Sequence, residues 1–121
     1  MTVTSYLVTG DWRTITGDTP LDPDPYPDIV TVTGHVRFSP DDLGPRLADG
    51  TAYTIGPVTA LIADGQLRDL QGREGVWLAA DVDGQPVAWT AVVRLHHAGV
   101  VRTFKSRFTM SEDHHMTGAD S

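Results

Sequence analysis

Between residues 29 and 40 the chain alternates. Val30, Val32, Val36 and Phe38 fall on one parity, and Thr31, Thr33, His35 and Arg37 on the other. Gly34 stands in for a side chain on the apolar side. A period of two predicts a strand with one wet face and one buried face. Similar runs place further strands at 2–9, 12–16, 52–62, 66–70, 76–82, 86–96 and 100–110. In 86–96, Trp89, Ala91, Val93 and Leu95 oppose Thr90, Arg94 and His96. In 100–110, Val100, Phe104, Phe108 and Met110 share a face that Arg102 and Ser106 interrupt. No stretch of ten or more residues keeps a helical period.

Turn chemistry agrees with this pattern. Asp-Gly stands at 49–50, 64–65 and 83–84, and Ala98-Gly99 separates the last two strands. Such pairs tolerate the positive φ angles of tight hairpins. Strands at this spacing, joined by short turns, predict an all-β, antiparallel sandwich (Ig-like or jelly-roll-like) of about 7–8 strands. Gly56-Pro57 is expected to bend or interrupt the strand at 52–62, because proline cannot donate to a ladder. Ser39-Pro40-Asp41-Asp42 reads as the start of one helical turn, which Gly44-Pro45 ends. Residues 17–28, with four prolines among aspartates, read as a stiff extended loop. One domain over 1–110 is expected, followed by a polar, flexible tail at 111–121.

Length and composition narrow the chemistry. A chain of 121 residues is long enough for a core without staples, and it has no cysteine. Disulfides, thiol catalysis and thiolate-bound zinc are thereby excluded. The start of the sequence shows no basic-then-apolar signal segment, and nothing approaches the roughly 20 apolar residues of a membrane helix. The net charge of −7 opposes nucleic-acid binding, whose affinity rests on Lys and Arg. The charge is uneven. Residues 1–90 hold 13 acids and 5 bases, whereas 91–121 hold 3 acids and 4 bases. Those four bases, Arg94, Arg102, Lys105 and Arg107, read either as a solvated strand face or as a basic edge that docks on an acidic face of a neighbouring subunit.

No catalytic or metal constellation stands out, so neither an enzyme nor a cofactor is expected. Asp22, Asp24 and Asp28 alternate with prolines that hold the backbone extended and point the carboxylates apart, which argues against a calcium loop. His96 and His97 are adjacent on a strand and face opposite ways, and His114-His115 lies in the tail. The serines (Ser5, Ser39, Ser106, Ser111) occur without a nucleophile elbow. Trp89 reads as core. Trp77, between Val76 and Leu78, reads as core or as an interface anchor. His35, on the wet face of its strand, is a contact candidate.

Three phrases taken together resemble a β-sandwich module of minor tail and fibre-like proteins from phages that infect actinobacteria. They are VTVTGHVRFSP (30–40), PVTALIADGQLRDLQGREGVWLAADV (57–82) and PVAWTAVVRL (86–95). The resembling pattern is a Gly-x-Val-x-Phe-x-Pro strand, a Pro-Val-x-Ala strand with an Asp-Gly hairpin, a Gly-Val-x-Leu-x-Ala strand and a Trp-Thr strand. It covers roughly 29–110; the Pro-Asp loop at 17–28 lies outside it. The resemblance implies a virion structural protein, localised to the virion and working by non-covalent assembly with other virion proteins and with copies of itself. A capsid decoration protein is the neighbouring alternative. A host-surface glycan-binding module, stacking sugar on Trp77, Tyr26 or Tyr53, is the other. The expected interface residues are Arg94, Arg102, Lys105, Arg107 and Trp77.

Overall fold

A computed structural model describes residues 3–16, 28–41, 46–48 and 50–116. Within them the fold is all-β, with thirteen strands. A five-stranded sheet has the order β12 (Val100–Phe108), β11 (Trp89–His97), β4 (Thr33–Pro40), β7 (Val58–Ala63), β8 (Gln66–Arg68). A four-stranded sheet has the order β10 (Gln85–Pro86), β9 (Val76–Val82), β1 (Val3–Gly10), β13 (His114–Met116). Two ribbons complete the set: β2 (Arg13–Thr16) with β3 (Asp28–Thr31), and β5 (Arg46–Ala48) with β6 (Thr51–Tyr53).

The period-two pattern decides which side of each strand is buried. Val36, Phe38, Ala60, Ile62, Ala91 and Val93 line the inner face of the larger sheet. Val8, Val76, Leu78 and Met116 meet them from the smaller one, so two sheets enclose one core. Removing each of the larger of these side chains (the valines, Ile62, Leu78, Phe38 and Met116) from water stabilises the fold by about 1.5–3 kcal/mol. The indole Nε1–H of Trp89, fully buried on β11, donates to the Ala79 carbonyl on β9 at 2.7 Å and ties one sheet to the other. Nearby the chain passes from β10 to β11, and the Val87 N–H donates to the Ala80 carbonyl at 2.9 Å.

The hairpins are those the sequence predicts. Asp64-Gly65 has φ of 51° and 79°, Asp83-Gly84 49° and 77°, and Ala98-Gly99 50° and 78°. Two consecutive positive angles match the twist of the flanking strands. Gly56-Pro57 does interrupt its strand, separating β6 from β7.

Four readings need correction. The strand expected at 86–96 divides at Val87 and Ala88 into β10, paired with β9 in the smaller sheet, and β11 in the larger one. The strand expected to begin at 29 divides at Val32 into β3 and β4, which belong to different sheets. Val32 is buried, and its carbonyl accepts the Gly65 N–H at 2.9 Å instead of a ladder partner. Ser39 and Pro40 end β4 and do not cap a helical turn; they pair with Thr90 and Trp89 of β11. Residues 42–45 lie outside the described residues. Finally, the segment from 111, expected as a tail, carries β13, which pairs parallel with β1. The Asp113 carboxylate accepts the Leu7 N–H at 2.9 Å, and Met116 drops into the core. That parallel pair is a departure from a purely antiparallel sandwich.

Candidate functional site

Residues directly opposite one another in an antiparallel ladder project to the same face. Register therefore maps the outer face of the five-stranded sheet. One row across the strands reads Thr103, Arg94, His35, Leu61, Arg68. The next reads Lys105, Val92, Arg37, Thr59, and the third Arg107, Thr90, Ser39. Five of the nine Lys and Arg residues of the chain thus share one face, and no strand position on that face is Asp or Glu. The chain carries −7, so with those five charges set apart the remainder carries −12.

Long side chains stand here around short ones. His35, Arg37 and Arg94 rise beside Val92 and Thr59 and enclose a shallow concavity of about 340 Å³. The His35 ring is tilted against His96, with centroids 5.8 Å apart. At one end Asp41 pins the face, accepting from the Thr90 hydroxyl at 2.5 Å and from the Arg107 guanidinium. The Thr90 hydroxyl and then Arg107 hold the Asp41 carboxyl below the usual carboxylate range. Elsewhere the Arg73 guanidinium is paired with Asp69, and that of Arg13 with Asp11. Arg37, Arg94 and Lys105 have no ion pair among the described residues.

The residues expected from sequence do not all meet. Arg94, Lys105 and Arg107 are brought together on the outer face. Arg102 is not: it pairs with Leu95, on the parity of the core-facing residues, although it is itself exposed. Trp77 lies on the other sheet, paired with Leu7 and 65% exposed, so it is neither core nor part of the cationic face. Trp12 and Trp89 are both buried. Tyr53 is half-buried on β6, and Tyr26 lies outside the described residues. The sequence reading missed Arg37 and Arg68 as members of the face, because they are distant in the chain and join it only through strand order β11-β4-β7-β8. The alternation of Arg37 with Val36 and Phe38 was the available signal.

No group of three or more His, Asp or Glu is placed to hold a metal ion among the described residues. No family model matches the chain, and no curated protein or solved structure matches it either.

Proposed function

We propose that this chain is a phage virion structural protein, a minor tail protein or a similar component, that works by non-covalent assembly. The observation that carries the reading is the cationic face of the five-stranded sheet, whose strand positions hold no acid and which only Asp41 touches at one end, on an otherwise strongly acidic chain. A rigid sandwich presents that face at fixed geometry. A partner with acidic surface, another virion protein or the acidic remainder of a second copy, is steered onto it and held in one orientation. A contact between unlike faces of identical chains is head-to-tail, which builds rings or stacks, the arrangements a virion uses.

The test is charge reversal at Arg94 and Lys105 together. The expected result is loss of self-association by light scattering at low salt and loss of incorporation into particles, with an unchanged circular dichroism spectrum. Full incorporation of the double variant would remove this face from assembly.

Trp77 favours a second role on the opposite sheet. An indole exposed to this extent beside Leu7 is suited to stacking on a sugar ring of the host surface. Trp77→Ala is expected to abolish retention on host cell-wall material while leaving assembly intact.

A further inference from the structure

We infer that the concavity between β11, β4 and β7 is a binding site for a phosphate group, held by Arg94, Arg37, His35 and Thr59. The site is independent of the virion reading. It concerns one small ligand group in a defined hollow, not the charge of the whole face.

The donors come from three adjacent strands. Arg94 on β11 is directly opposite His35 on β4, and one row along, Arg37 on β4 is directly opposite Thr59 on β7. Strands lie about 4.8 Å apart and same-face residues on one strand about 6.7 Å apart. The four donors therefore stand on a skewed patch two strand spacings (about 10 Å) across and one same-face step (about 7 Å) deep, which the long arginine side chains must bridge to meet on one phosphate. Val92 is short and apolar, and it forms part of the hollow's wall while the longer side chains rise beside it.

The guanidinium groups are uncommitted. Arg13, Arg73 and Arg107 each spend their donors on an aspartate. Arg68 donates to the Gly72 carbonyl and to Gln66. Arg37 and Arg94 have no such partner among the described residues, although they are diagonal neighbours whose like charges repel. Arg37 and Arg94 both line the hollow, and two planar forks turned into it would match the several oxygens of a phosphate, which offers acceptors in more directions than a carboxylate. The Thr59 hydroxyl adds a donor, and His35, braced against His96, adds a ring N–H. Sites built on strands hold such groups in place better than loops do.

The experiment is a ¹H–¹⁵N titration of the full chain with inorganic phosphate, against sodium chloride at matched ionic strength. Methyl phosphate and dimethyl phosphate as further arms distinguish a monoester from a diester source, and acetate is the carboxylate control. Saturable shifts are expected at His35, Arg37, Thr59 and Arg94, with acetate at least fivefold weaker. Arg37→Gln and Arg94→Gln should each weaken binding at least fivefold, and Arg73→Gln should not change it. Arg94→Lys separates the two proposals: it keeps the charge that assembly needs but loses the fork, so phosphate binding falls while assembly persists. Shifts that rise linearly with phosphate, that acetate reproduces, or that survive both glutamine variants would overturn the site.

Discussion

Gly34 lies on β4 directly opposite Leu95 of β11, and replacing it with alanine tests the geometry under the cationic face. A methyl group at that position would lie 2.9 Å from the Arg94 carbonyl carbon, closer still to its oxygen, and 3.2 Å from the Leu95 Cα. These are backbone atoms in the centre of a five-stranded sheet, so no side chain can swing aside. The strands must part, which strains the ladder between them. Overpacking of this kind costs about 1–3 kcal/mol, and a rigid partner places Gly34→Ala at the upper end. Alanine recovers about 0.4–1 kcal/mol by restricting the unfolded chain. A net loss of about 2 kcal/mol remains. At about 4 °C per kcal/mol for a chain of this length, the melting temperature should fall by about 8 °C. The assay is urea unfolding followed by circular dichroism, with Gly56→Ala as the control. A methyl at Gly56 meets nothing within 4 Å, so that variant should stay within about 0.5 kcal/mol of the parent. Because Arg94 and His35 flank the contact, Gly34→Ala should also weaken phosphate binding. Equal stability of the two glycine variants would refute the close approach of the strands.

Three further outcomes follow from single contacts. Trp89→Phe removes the donor to the Ala79 carbonyl and leaves that oxygen buried and unpaired, so a loss of about 1–3 kcal/mol is expected in urea unfolding; a loss below about 0.5 kcal/mol would mean that the bond between the sheets is unimportant. Met116→Ala should cost about 2 kcal/mol or more, and hydrogen exchange should quicken at β1 amides beside β13 while β11 amides keep their relative protection. The Asp41 carboxyl titrates lower in the folded state than the unfolded value near 3.8, so the folded state binds fewer protons there. Its contribution is therefore present above that value and is lost as the pH falls through the lower folded one. Asp41→Asn should flatten the fall of the melting temperature below about pH 4, and a variant with the parent's slope would contradict the assignment.

Much of the fold was legible because alternation and turn chemistry are local. The strand at 76–82 was placed to the residue, and Trp89, Ala91 and Val93 were placed on their buried face. What escaped was decided by distant partners. Nothing within Asp28–Pro40 announces that the chain changes sheets at Val32; the reason is the carbonyl of Val32 bonding to Gly65. β13 is three residues long, too short for a period, and exists because β1 offers an edge and the core has room for Met116. The site divides the same way. Arg94, Lys105 and Arg107 were visible as a local run of bases, but that run also swept in Arg102, whose position in the ladder puts it on the other side. Arg37 needed strand order before it could be counted.

The pairing of β13 with β1 also sets when the smaller sheet is completed and where it opens. β1 is made before every strand of the larger sheet and β13 after them, and their residues are 106 positions apart at Val8 and His114. A nascent chain can therefore complete its larger sheet while β1 still has an open edge. In the folded protein the same three-residue strand is a short edge element that can come away without disturbing the β4–β11 ladder, and local opening draws on such peripheral elements. Each such opening bares a row of unpaired N–H and C=O groups, which is a template for a strand from another chain. β13 thus acts as a removable cover over Val8–Gly10 of β1.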